Sequence, residues 1–193
     1  DKWKSEEFVN DLLNYNQRLA QLSEKLAVVW GNISKKENQL YKTVYCAVDG
    51  QIVCSQSKRV LSSTDVLSEH RFFAEATESE TVDIKGVKLG FVMSDEIHEN
   101  ALVPECDMLI HVDAKAWTLD DEGTYAKRMK QLNHPCVVHV NAAGMQNTGK
   151  NVLMLDGGSA VYLNGELTCH LNEGFVSECS LVDKPFDHRI EHK

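Results

Sequence analysis

Val87-Lys88-Leu89-Gly90-Phe91-Val92-Met93 runs without a break into Ser94-Asp95-Glu96. The first seven residues are almost continuously apolar and short, which is the pattern of a buried strand. The strand ends in a small hydroxyl residue flanked by carboxylates, and several hydrolase folds present an attacking atom in this way. A second reading is equally open. A serine here also suits the N-cap of a short helix over residues 96–102, its oxygen accepting backbone N–H groups.

On the N-terminal side, Phe8, Leu12, Tyr15, Leu19 and Leu22 recur at steps of three and four, which predicts one long amphipathic helix over residues 5–24. Residues 27–30 read as a short buried strand ended by Gly31-Asn32. Residues 40–48 and 51–57 read as strands joined by Asp49-Gly50, a two-residue hairpin turn. Residues 58–80 are polar, irregular or partly helical, and carry the phrase Glu69-His70-Arg71-Phe72-Phe73.

On the C-terminal side, residues 107–112 are a buried strand followed by a loop at 113–117, and residues 120–132 suit an exposed helix. Residues 136–140 form a further strand ending at Asn141. A glycine-rich loop leads to a hairpin, residues 159–163 and 166–171 about Asn164-Gly165, and residues 175–182 are a last apolar strand. Asp156-Gly157-Gly158-Ser159 precedes a strand, so it reads as a tight turn, not a phosphate loop. Hairpins mixed with strand-helix-strand units give an α/β class (α+β mixed), with mixed sheets. Three prolines and no low-complexity tract point to one continuous domain over residues 1–193.

Composition narrows the partners. A net charge of −9 argues against a nucleic-acid surface, which needs concentrated Lys and Arg. The longest apolar runs, such as Leu26-Ala27-Val28-Val29-Trp30, are too short to span a membrane, and no basic-then-apolar leader opens the chain. The six cysteines form no CxxC pair and several sit in apolar runs, so they read as small buried hydrophobes in a reducing cytoplasm. The eight histidines are dispersed without ligand spacing, so no metal and no cofactor are expected.

Lys58-Arg59-Val60-Leu61 and Val66-Leu67-Ser68-Glu69-His70-Arg71-Phe72-Phe73 are followed by the most specific stretch, Asn141-Ala142-Ala143-Gly144…Leu155-Asp156-Gly157-Gly158-Ser159 with Asn164-Gly165-Glu166-Leu167, and each piece alone is weak. In this order, with the strand before Ser94, they resemble the nitrilase or carbon–nitrogen hydrolase superfamily. Within it they resemble the glutaminase module of glutamine-dependent NAD synthetase, over almost the whole chain. The resemblance implies an αββα sandwich whose opening strand and helix are not in these residues. It therefore implies a piece of a longer chain, one whose sheet would keep an open edge if residues 1–193 stood alone.

It also implies chemistry. In the family a carboxylate deprotonates a cysteine thiol, the thiolate attacks an amide carbon, and a lysine stabilises the oxyanion. Lys58 matches that lysine, Glu69 a second supporting glutamate, and Ser94 the nucleophile position. Asp95 matches the acidic residue beside it, and Asp113-Ala114-Lys115-Ala116-Trp117 the loop that helps hold glutamine. The implied catalytic set is therefore Lys58, Glu69 and Ser94, with Asp95 and Trp117 as substrate-binding residues. The implied partners are glutamine or a related small amide, a synthetase domain or subunit, and a second copy of the chain.

The sequence departs from the family at several positions. Serine replaces cysteine at Ser94, and a hydroxyl needs a stronger positioned base than a thiol of pKa near ~8.5. The family's primary glutamate has no counterpart, its Ser-Pro pair is Lys115-Ala116, and its Pro-Asn-Tyr is Ser62-Ser63-Thr64. Two functions follow: a glutaminase-type hydrolase supplying ammonia for NAD synthesis, or a degenerate module serving assembly or regulation of a synthetase. Unrelated small-molecule binding on the same scaffold is a third. Bland readings stand beside the site roles: Lys58 as a solvated lysine, Glu69-His70-Arg71 as a surface ion cluster anchored by Phe72-Phe73, and Trp117 as packing.

Overall fold

A computed structural model describes residues 2–62, 68–114, 116–117, 124–132, 134–147 and 151–171. The chain is mixed α+β and divides into two compact units, Asp1–Cys106 and Asp107–Lys193. The expected strand over residues 175–182, and Cys179 within it, lie outside the described residues.

In the first unit, helix α1 spans Glu6–Ala20 and a 3-10 turn continues it over Gln21–Ser23, so the amphipathic periodicity is borne out. Ser5 caps the helix by accepting the Phe8 N–H at 3.4 Å, and Glu6 and Glu7 lie in the first turn, where carboxylates favour the helix dipole. The helix lies on a three-stranded antiparallel sheet of β1 (Val28–Lys36), β2 (Gln39–Val48) and β3 (Gln51–Ser57). Val9, Ile33, Leu61 and Phe73 form the core between them, joined by Trp3, Leu12, Leu13, Leu40 and Phe72.

Gly31-Asn32 does not end β1. Asn32 donates from its amide to the Leu12 carbonyl and the Asn16 Oδ1, both at 2.8 Å, so a residue with turn preference is tied into the helix–sheet interface. Buried Asn16 also accepts from Trp30 Nε1 at 3.0 Å. This polar link lets the strand run on to Lys36.

Strands β4 (Thr81–Ile84) and β5 (Val87–Met93) form an antiparallel hairpin of which only β5 was legible in the sequence. Lys85 and Gly86 both take positive φ at its turn, and Asp83 Oδ1 accepts the Gly86 N–H at 3.0 Å. The expected helix over 96–102 is instead two 3-10 turns, Ser94–His98 and Asn100–Leu102.

In the second unit, β6 (Met108–Asp113) and β7 (Cys136–Asn141) pair in parallel, and β10 (Ala160–Leu163) and β11 (Glu166–His170) continue from β7 antiparallel. Helix α2 covers Thr124–Gln131; residues 120–123 of the helix expected over 120–132 lie outside the described residues. The glycine-rich stretch before β10 is partly a hairpin of β8 (Ala143–Asn147) and β9 (Val152–Asp156). Gly157 and Gly158 then take positive φ, as the tight-turn reading required. No described helix is long and apolar enough to cross a membrane.

Candidate functional site

The site grows from the end of β3. Lys58 follows the last strand residue, its N–H donates to the Lys42 carbonyl at 2.8 Å, and its side chain is buried, with the residue only 3% exposed. Its Nζ donates to Glu69 Oε2 at 2.8 Å. Glu69 opens a 3-10 turn, Glu69–Arg71, and is equally buried. The solvated-lysine reading therefore falls, and the surface-cluster reading fails at Glu69. His70 and Arg71 are exposed, while Phe73 anchors the turn in the core.

Both oxygens of Glu69 are committed. Oε2 also accepts the Ser62 N–H at 2.7 Å, and Oε1 accepts from Lys42 Nζ, which reaches in from β2 with its side chain 38% exposed. Burial pushes the Glu69 carboxyl up. The Lys42 charge and hydrogen bonds from Lys42, Lys58 and Ser62 outweigh it, holding the group below the ordinary carboxylate range.

Ser94 stands at the end of β5 with φ of +47°, a left-handed conformation that costs a non-glycine residue roughly 1–3 kcal/mol. The turn's N-cap is Met93, so Ser94 is not the cap that its sequence allowed. The capping is done by Glu96, whose Oε2 accepts the Met93 N–H at 3.0 Å. Glu96 is fully buried, and its Oε1 accepts the N–H groups of Arg59 and Val60. The Arg59 guanidinium lies 3.6 Å from Glu96 Oε2 and donates to the Leu102 carbonyl at 2.7 Å. One carboxylate thus ties the residue after Lys58 to the turn that carries Ser94.

Asp95 is exposed beside Ser94. Trp117 belongs to the second unit, is 39% exposed, and its N–H donates to the Met154 carbonyl at 2.7 Å. Sequence reasoning missed Lys42, Arg59 and Glu96 as parts of this arrangement. The carboxylate two residues after Ser94 was visible, but its partners lie 36 and 37 positions away.

A second polar cluster was also missed. His111 on β6 and His139 on β7 are buried side by side in register, with Nδ1 atoms 2.8 Å apart and stacked rings at 4.9 Å. Tyr125 of α2 lies 5.2 and 5.6 Å from the two rings. Burial, then the His111 charge, push His139 down to about 3 against the opposing pull of Asp113. The matching phrases Leu109-Ile110-His111-Val112 and Val137-Val138-His139-Val140 were the available signal. No group of three or more His, Cys, Asp or Glu among the described residues is placed to hold a metal.

No protein-family model matches the sequence, and no curated protein does. Solved structures do match. The glutamine-dependent NAD+ synthetase of Acinetobacter baumannii, solved with ADP, is 22% identical with a TM-score of 0.72, covering 93% of this chain and 40% of its own. The glutamine-dependent NAD(+) synthetase of Cytophaga hutchinsonii is 12% identical, with the same TM-score, 89% of this chain and 32% of its own. A nitrilase-superfamily amidase from Nesterenkonia, solved as a mutant, is 17% identical with a TM-score of 0.72, covering 86% and 65%. The fold is therefore nitrilase-like, as the sequence resemblance implied, and the chain spans less than two thirds of the length of each of these proteins.

Proposed function

We propose that this nitrilase-like chain is a glutaminase-type amide hydrolase module that supplies ammonia for NAD synthesis. Ser94 Oγ forms a bond to the amide carbon of glutamine or a related small amide. Lys58 Nζ, held by Glu69, stabilises the oxyanion. The C–N bond breaks, the proton taken from Ser94 passes to the leaving nitrogen, and ammonia departs. Water then hydrolyses the serine ester and regenerates the hydroxyl. Asp95 and Trp117 are the substrate-binding residues. A synthetase domain or subunit consumes the ammonia, and the module associates with a second copy of itself.

The observation that carries this reading is the buried Lys58–Glu69 pair, 2.8 Å long, tied to the strained Ser94 turn through Glu96. Buried ionised groups joined to a strained strand end suit a catalytic site better than a surface. Glu69 is poorly suited to act as the base, because both its oxygens already accept hydrogen bonds from lysines and its carboxyl is held below the ordinary range, which weakens it as a proton acceptor. The resemblance gives the role of base to a further glutamate, and no residue of this sequence is assigned that role. The free thiols Cys46, Cys54 and Cys136 suit a cytoplasmic location.

The commitment of Glu69 favours a second reading, a non-catalytic module that serves assembly or regulation of a synthetase. Ammonia release from glutamine by the full-length protein separates the two. Release that disappears in Ser94→Ala supports hydrolysis. No release from the wild type or from Ser94→Cys supports the second reading.

A further inference from the structure

We propose that Lys42 is a positioning residue of this site, orienting Glu69 so that the Lys58 side chain stays fixed. The inference rests on the reading of Lys58 and Glu69 as site residues. It assigns work to a residue that is not among the expected catalytic or substrate-binding groups.

The two Glu69 oxygens have separate tasks. Oε2 holds Lys58 Nζ at 2.8 Å and the Ser62 N–H at 2.7 Å. Oε1 faces Lys42, whose Nζ also sits 5.9 Å from the centroid of the Phe73 ring. Lys42 is therefore held on two sides: by the carboxylate, and by an aromatic ring whose own place is fixed in the core beside Val9, Ile33 and Leu61. The backbone adds a further link, since the Lys42 carbonyl accepts the Lys58 N–H at 2.8 Å. One residue of β2 thus fixes the main chain of Lys58 directly and its side chain through Glu69.

The charge balance gives Lys42 a second task. A buried carboxylate paired with one buried lysine has little solvent to stabilise it, and proton transfer to a neutral pair is the alternative state. Lys42 is the partly exposed one of the two lysines, so its own desolvation is smaller than that of Lys58 while its charge faces Oε1 directly. Among the described residues, the groups facing Glu69 are Lys42 from β2, Lys58 after β3 and the Ser62 N–H. Glu75 lies on the same segment and accepts the Leu61 N–H at 3.0 Å. Without Lys42, Oε1 loses its charged donor, Glu69 takes up a proton more readily, and Lys58 loses the anion that anchors it.

The test reads Glu69 without turnover. In full-length protein labelled at glutamate side-chain carboxyls, the Glu69 resonance is assigned by its loss in Glu69→Gln and followed by 13C NMR from pH 7 downward. Lys42→Met and Lys42→Arg are compared with wild type, and circular dichroism confirms the fold at each pH. The expected result is an upward shift of the Glu69 titration in Lys42→Met and a wild-type titration in Lys42→Arg. Lys42→Gln, which keeps a polar donor, serves if the methionine variant does not fold, and the same upward shift is expected of it. An unchanged Glu69 titration in a folded Lys42→Met or Lys42→Gln protein overturns the inference, as does a Lys42→Arg variant that behaves like Lys42→Met. Failure of ammonia release in the same samples counts against the hydrolase reading alone.

Discussion

Glu96 is the point at which the largest loss is concentrated. Its carboxylate is fully buried and accepts three backbone N–H groups, from Arg59, Val60 and Met93, besides facing the Arg59 guanidinium. Glu96→Ala leaves those donors without their acceptor, at about 1–3 kcal/mol for each group left truly unsatisfied. It also strands a buried guanidinium, and truncating one partner of a buried ion pair costs about 3–5 kcal/mol. These losses share atoms and do not add. Arg59 keeps its bond to the Leu102 carbonyl, so about 4 kcal/mol is the expected total. Glu96→Gln keeps one oxygen for Arg59 and Val60 but turns an amide NH2 toward the Met93 N–H, with an expected loss of about 2 kcal/mol. Urea unfolding of the full-length protein at pH 7, followed by circular dichroism, measures both. The alanine variant should also melt about 8–16 °C lower, at about 2–4 °C per kcal/mol for a chain of this size. A loss below about 1 kcal/mol for Glu96→Ala refutes the reasoning, because it would mean that water or another acceptor replaces the carboxylate at no cost.

Other outcomes follow from single contacts. His139 titrates near 3 in the folded protein, against an ordinary value of 6.5, so the unfolded chain binds the extra proton between those limits. The resulting penalty starts as pH falls below about 6.5 and grows by about 1.4 kcal/mol per pH unit toward 3, and His139→Gln should flatten that slope in a urea series. Glu69 has its own acid dependence. Its carboxyl is held low, so the stability it contributes is present above the unfolded carboxylate range and is lost as pH falls through the folded value; Glu69→Gln should be less stable than wild type at pH 7, with the gap closing in acid. A Cβ at Gly90 would sit 2.6 Å from Pro104 Cγ and 2.9 Å from Cys106 Sγ, so Gly90→Ala should cost about 1–3 kcal/mol in the same assay, and an unchanged midpoint would contradict this packing. Burial pushes the Cys46 and Cys136 thiols up to about 11, and burial together with Glu80 and Cys46 pushes Cys54 up to about 12. Iodoacetamide at pH 8 should therefore label all three only after unfolding, which peptide mass spectrometry can follow.

Local chemistry made much of the fold legible. Asp49-Gly50 and Asn164-Gly165 announced hairpins because both residues of each pair must take positive φ, and they do. Lys85-Gly86 adopts the same geometry, but lysine is no turn signal, and the stabilising bond comes from the Asp83 side chain. The β8–β9 hairpin hid for a different reason: Gly144, Gln146 and Asn147 have the composition of a loop, and its pairing with 152–156 is invisible to local propensity. Asn32 misled because its turn preference is overridden by Asn16 and Leu12 across the helix–sheet interface. At the site, the eleven-residue spacing of Lys58 and Glu69 was legible through family resemblance. Lys42 was not, since nothing local to β2 marks it and its carboxylate lies 27 residues on. Ser94 was placed correctly at a strand end. The sequence offered it a capping role that the structure gives to the Glu96 side chain, because the carboxylate reaches back to the Met93 N–H.

The most direct test of the central reading is ammonia release from glutamine by the full-length protein, measured for wild type, Ser94→Ala and Ser94→Cys. The expected result is release by wild type, none from Ser94→Ala, and release retained or increased in Ser94→Cys, since a thiol supplies the better nucleophile at the same strand end. Release that persists undiminished in Ser94→Ala would contradict the account, because the reaction would then not pass through the oxygen at the end of β5.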